Sequence, residues 1–114
     1  MPPTRQSTFE VKVSDKIAVS LSSMALSMMN ATVDNQGAGT ILAKKSFSFL
    51  SNGEFIEVHI IPIRPDQSKI SIMSKSAWVT TLIDWGVNAK NIERFEQLVR
   101  QLTNLVKLLE KQKT

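Results

Sequence analysis

Phe55-Ile56-Glu57-Val58-His59-Ile60-Ile61-Pro62-Ile63, then Arg64-Pro65-Asp66-Gln67, then Lys69-Ile70-Ser71-Ile72-Met73-Ser74-Lys75-Ser76 sets the architecture of the chain. Both outer segments alternate with a period of two, the mark of a half-buried strand. Ile56, Val58 and Ile60 share one face of the first, and Phe55, Glu57, His59 and Ile61 share the other. In the second, Ile70 and Ile72 oppose Met73. Arg64–Gln67 places Pro at the second position of a turn. Upstream, Ile41, Ala43, Lys45, Phe47 and Phe49 alternate with Thr40, Leu42, Lys44, Ser46 and Ser48. That predicts a long strand with one aromatic face. Ser51-Asn52-Gly53-Glu54 supplies an Asn-Gly hairpin signal between it and the next strand. Three successive strands joined by tight turns make an antiparallel meander. Residues 31–34 can add a fourth strand before the turn signal Gln36-Gly37-Ala38-Gly39.

At the N-terminal end, residues 1–7 read as a loose arm, and Phe9, Val11 and Val13 alternate with Thr8, Glu10 and Lys12 as a first strand. Ser14 is placed to cap a helix over about residues 15–29, with Asp15 in its first turn. Ile17, Leu21, Met24, Ala25 and Met28 form its apolar face, and Asn30 can end it. Residues 77–87 fit neither period and read as a packed connection. From Asn88 a helix of about 25 residues, ~37 Å long, runs nearly to the end. Its apolar stripe is Ile92, Phe95, Val99, Leu102, Val106 and Leu109, widened by Leu98 and Leu105. The predicted fold is α+β: strand, helix, antiparallel three- or four-strand meander, long C-terminal helix, with both helices on one face of a single sheet. Residues 8–114 form the one domain. Its core is expected from Phe9, Val11, Ile17, Leu21, Met24, Met28, Ile41, Phe47, Phe49, Ile56, Val58, Ile60, Ile70, Ile72, Ile92, Phe95, Val99 and Leu102.

Composition narrows the function classes. The chain of 114 residues has no cysteine, which excludes disulfides, thiolate metal sites and cysteine nucleophiles. Its single histidine excludes a histidine-cluster metal site. The net charge of +4 is modest and scattered, densest at Lys44–Lys45 and at Lys107, Lys111 and Lys113. Without an aromatic-basic motif on one strand face, no nucleic-acid partner is expected. No apolar run is long enough to span a membrane. Met1-Pro2-Pro3-Thr4-Arg5-Gln6 is not followed by the apolar segment of a signal peptide. The lack of cysteine fits the cytoplasm and equally a periplasmic protein without disulfides.

Ser74-Lys75-Ser76 followed by Asp84-Trp85-Gly86-Val87-Asn88-Ala89-Lys90-Asn91-Ile92 resembles the closing signature of small bacterial families of unknown function. In those families a final strand ending in Ser-x-Ser leads into Asp-x-Gly-x-Asn-x-x-x-Ile at the head of the last helix. The resemblance implies the same strand–helix–meander–helix layout. Here the gap from Ser76 to Asp84 is longer, and Met73 and Lys75 stand where that pattern has arginine. Read from the residues themselves, Gly86 permits a turn with positive φ and Asn88 caps the helix.

The search for chemistry returns little. The ten carboxylates form no paired motif, and there is no phosphate loop, nucleophile elbow or zinc signature. His59 shares a strand face with Glu57 and reads as a solvent-side histidine. No catalytic residue, cofactor or metal is assigned, and a non-enzymatic binding or interaction module is expected. Three groups of residues are candidates for function. A pocket between sheet and long helix, lined by Met24, Met28, Phe47, Phe49, Trp78 and Trp85, would carry an apolar small molecule or lipid. Ser74, Ser76, Asp84 and Asn88 would form a small polar cluster. Leu102, Leu105, Val106 and Leu109, on helix turns that overhang the sheet, would join a homodimer.

Overall fold

Cross-strand pairing organises the molecule. The computed structural model describes residues 4–45, 53–77 and 86–112. Its strands are β1 (Thr4–Val11), β2 (Ala31–Gly37), β3 (Thr40–Lys45), β4 (Glu54–Arg64) and β5 (Gln67–Ser76), and its helices are α1 (Asp15–Met28) and α2 (Val87–Gln112). The five strands form one antiparallel sheet in the order β1-β5-β4-β3-β2. β2 to β5 are thus a four-strand meander, and β1 is the edge strand added beside β5. This is the α+β architecture read from the sequence.

Register assigns the faces. Val58 lies opposite both Ile41 and Ile72, and Ile70 lies opposite both Phe9 and Ile60. Directly paired residues share a side of the pleat, so these side chains form one apolar surface, and all are buried. α1 covers mainly β2, β3 and β4 on that surface, while α2 covers β1 and β5 and lies against α1. Phe95, Leu98 and Val99 close the middle of the layer, with Phe95 edge-on to Phe9 at 6.2 Å between centroids. Each large side chain buried here contributes about 1.5–3 kcal/mol.

Local signals account for the element ends. Ser14 Oγ accepts from the Ile17 amide at 3.3 Å, and at the other end Asn30, just past the Met29 cap, turns the chain at φ 63°. Ala38-Gly39 forms the β2–β3 turn and Pro65-Asp66 the β4–β5 turn. Gly39 is at φ 80°, and a Cβ there would lie 2.8 Å from the Ile60 carbonyl oxygen.

Some expectations need correction, and others fall outside the described residues. Residues 4–7 are not a loose arm: Thr4 to Ser7 pair with Lys75 to Ile72, because a chain beside an open edge satisfies its backbone by joining the sheet. Asn52 of the expected Asn-Gly hairpin lies outside the described residues, and Glu54, which follows it, pairs with Lys45. The strand from Thr40 is described only to Lys45, and Phe47 and Phe49 lie outside the described residues. Met24 and Met28 are not core: they are 49% and 53% exposed. α1 instead buries Ala18, Leu21, Ser22, Ala25 and Leu26, a stripe rotated away from the methionines. α1 packs on both the sheet and α2, and the short Ala18, Ser22 and Ala25 permit a close approach that two methionines would block. Ile17 and Leu102 are only partly buried at the margin of the core.

Candidate functional site

At the end of the sheet where α2 begins, the apolar row gives way to polar residues. Lys45, Glu54 and Ser76 stand side by side across β3, β4 and β5, and Ser74 is opposite Ile56 one step inward. All four follow the core phase of their strands. Ser74 and Ser76 share that phase because side chains two apart point to the same face. The first turns of α2 lie over them and present Asn88 and Asn91, neighbours on one helix face at i, i+3.

These residues form one connected network. Ser74 Oγ donates to Asn88 Oδ1 at 2.8 Å, and Asn88 Nδ2 donates to Ser76 Oγ at 3.1 Å. Asn91 Nδ2 donates to Ser74 Oγ at 3.1 Å and to Glu54 Oε1 at 2.9 Å. Lys45 Nζ donates to Asn91 Oδ1 at 3.0 Å. Just beyond, the Ala77 amide donates to the Gly53 carbonyl at 2.9 Å and ties the strand ends together. Ser74, Ser76, Asn88, Asn91 and Glu54 are all buried. Such a network is stable only when its members are satisfied, because each orphaned buried group costs about 1–3 kcal/mol. One atom breaks the rule: Glu54 is 1% exposed, and its Oε2 has no hydrogen-bond partner among the described residues.

The structure therefore brings together Ser74, Ser76 and Asn88 of the expected polar cluster, while Asp84 lies outside the described residues. Sequence reasoning missed Glu54, Asn91 and Lys45. Two signals were present: Glu54 falls in phase with Ile56, Val58 and Ile60, and Asn91 follows Asn88 by three. Of the expected pocket, Phe47, Phe49, Trp78 and Trp85 lie outside the described residues, and Met24 and Met28 sit on the half of α1 that is not buried. Leu102 and Val106 are half-buried, whereas Leu105, Leu108 and Leu109 are 52%, 57% and 52% exposed.

A second polar group occupies the outer face of the sheet. His59 Nε2 and Glu57 Oε1 are 2.7 Å apart, and Thr40 Oγ1 lies 3.4 Å from His59 Nδ1. With Nε2–H donating to the carboxylate, neutral His59 accepts from the Thr40 hydroxyl. The group sits on exposed strand surface, as expected for a solvent-side histidine. Further grooves are open and shallow. One of about 740 Å³ runs between the end of β1 and α2, with Lys12, Arg100, Lys107 and Lys111 along it. Among the described residues no cluster of His, Asp or Glu is arranged to hold a metal, and no described helix is long and apolar enough to cross a membrane.

No protein-family model matches the chain, and no curated protein matches it in sequence. Solved structures do match in shape. A START superfamily protein from Mycobacterium smegmatis superposes with a TM-score of 0.67 at 15% identity, covering 93% of this chain and 98% of that one. Ara h 8.0201 superposes with a TM-score of 0.51 at 9% identity, covering 91% and 99%. At such identities the likeness is one of fold. The chain thus has an α+β fold like that of the START superfamily protein, a five-stranded antiparallel sheet with a short helix and a long C-terminal helix.

Proposed function

We propose that the protein is a non-enzymatic module that binds an apolar small molecule carrying a polar end, received where α2 meets the sheet. The buried network of Lys45, Glu54, Ser74, Ser76, Asn88 and Asn91 carries this reading. Apolar binding sites are typically lined by hydrophobic groups with a few convergent polar atoms that fix orientation. Here the polar atoms converge at the margin of an apolar layer built from Ile56, Ile92 and Phe95. The likeness in fold to a START superfamily protein supports the reading through architecture, since a sheet wrapped on one long helix can part from it at one end. The non-enzymatic part rests on chemistry. The network holds no nucleophile paired with a base, and the His59–Glu57 pair lies on exposed strand surface, along an open groove of about 200 Å³ with Gln6, Ser71 and Met73.

Native mass spectrometry of freshly purified protein, with titration of the neutral apolar dye N-phenyl-1-naphthylamine, tests the proposal. A co-purified mass or saturable dye fluorescence is expected. A clean apo mass together with no dye binding overturns it.

A second reading, self-association through Leu102, Leu105, Val106 and Leu109, is favoured by the half-exposed leucines at the end of α2. A helix–helix seam would cover them, with Lys107, Glu110 and Lys111 along its flanks.

A further inference from the structure

We infer that Glu54 Oε2 is the acceptor that selects the ligand's polar end, so that the site takes a hydrogen-bond donor, hydroxyl or ammonium, in preference to a carboxylate. The inference rests on the binding reading above and adds the chemical class of the head group.

Glu54 begins β4 in phase with the core and is 1% exposed. Its Oε1 accepts from Asn91 Nδ2, and its Oε2 has no partner among the described residues. Buried carboxylate oxygens are normally satisfied, and one that is not calls for a specific explanation. The network gives no sign of looseness that would account for it. Asn91 is held on three sides, by Lys45 at Oδ1 and by Ser74 and Glu54 at Nδ2. Both hydrogens of that amide are therefore used, and Asn91 cannot turn one toward Oε2 without giving up a bond. Asn88 is clamped between Ser74 and Ser76 and keeps its own amide on Ser76. Glu54 is thus fixed by one oxygen and presents the other. A carboxylate is acceptor-only, so what satisfies Oε2 is a donor brought from outside the network. An ammonium or hydroxyl supplies it, and a charge-assisted bond of this kind is among the stronger ones. A second carboxylate would meet like charge and supply no proton. Lys45 is the one cation of the network; one of its three N–H groups serves Asn91, and none of them bonds to Oε2. A carboxylate ligand drawn to Lys45 is the competing outcome.

The experiment uses the full chain with N-phenyl-1-naphthylamine bound, displaced by decylamine, 1-decanol or decanoate below their micellar ranges. The three share an alkyl chain and differ in the head group. Decylamine and decanol are expected to displace the dye at concentrations roughly tenfold lower than decanoate. In the Glu54→Gln variant the amide oxygen can keep the bond to Asn91 and an N–H takes the place of Oε2. The order should then reverse, decanoate overtaking decylamine. If the wild type binds dye and decanoate displaces it as well as or better than the other two, the inference is overturned and apolar binding stands. An order left unchanged in a folded Glu54→Gln protein overturns it equally. If that variant does not fold, the wild-type ranking decides alone. No dye binding by the wild type overturns the binding reading, and this inference falls with it.

Discussion

Gly86 sits at φ 74° immediately before α2, and a Cβ there would meet nothing within 4 Å among the described residues. Its constraint is therefore dihedral and not steric. Gly86→Val should destabilise the fold by about 1–3 kcal/mol, since a branched residue is costly in the left-handed region. Gly86→Asn, which tolerates that region, should recover most of the loss. Gly39 differs: at φ 80° its Cβ would press to 2.8 Å on the Ile60 carbonyl, so asparagine should not rescue it. Urea unfolding of the three variants separates the two cases. Gly86→Val unfolding like wild type, or Gly39→Asn doing so, contradicts the assignment. Ser22 offers the opposite sign. It is fully buried, and its Oγ has no partner among the described residues. Removing an orphaned hydroxyl relieves a desolvation cost of about 1–3 kcal/mol, less the small void left behind. Ser22→Ala should raise the melting temperature, and a lowered one would mean that the hydroxyl is satisfied.

At the scale of elements, α1 carries the clearest lesson. Two apolar stripes run along it and share Leu21 and Ala25. One continues through Met24 and Met28, the other through Ala18, Ser22 and Leu26. Hydropathy favours the methionines, but close approach to two neighbours favours the small residues, and approach wins. Met24→Gln with Met28→Gln should therefore change stability by no more than about 0.5 kcal/mol each. Leu26→Ala should cost about 2–5 kcal/mol, as for other fully buried leucines. Thermal or denaturant melts that reverse this ranking would restore the stripe read from periodicity. α2 posed no such ambiguity. Its 26 residues carry one apolar stripe, and the structure buries Ile92, Phe95, Leu98 and Val99 along it. The polar cluster was half legible for a related reason. Ser74, Ser76 and Asn88 lie on consecutive elements whose ends must meet. Glu54 and Lys45 enter only through the pairing of strands separated by a connection.

For the molecule as a whole, α2 is the long dimension. Its 26 residues span about 39 Å, and the largest extent of the protein is 53 Å. β4 and β5, at 11 and 10 residues, are each two residues longer than the alternation of 55–63 and 69–76 predicts, so α2 travels farther over the sheet than the sequence implied. Lys107 reaches the level of Arg64 and Gln67 at the β4–β5 turn. Beyond Thr103 no residue of α2 is buried. Leu105, Leu108 and Leu109 are exposed there, a patch that association would remove from water at about 25 cal/mol per Å². The proposed dimer predicts a concentration-dependent mass in sedimentation equilibrium at tens of micromolar, lost in a chain truncated after Thr103. Two monomers would leave this end of α2 unassociated.

What the sequence determined by itself were the features set within a few residues: the alternation that makes strands, the Ser14 cap, the positive φ of Gly86, the length of α2, and the Ser-x-Ser end placed beside Asn88. Each is governed by backbone sterics or side-chain spacing along one element, so local information suffices. Tertiary structure decided the rest. It drew residues 4–7 into the edge of the sheet, turned α1 onto its smaller residues, and set Lys45, Glu54 and Asn91 into one network with an oxygen left over. These depend on register and on which surfaces approach one another across long separations in the chain. A carboxylate in phase with core isoleucines is visible in the sequence, but whether its second oxygen finds a donor is settled only when three strands and a helix meet around it.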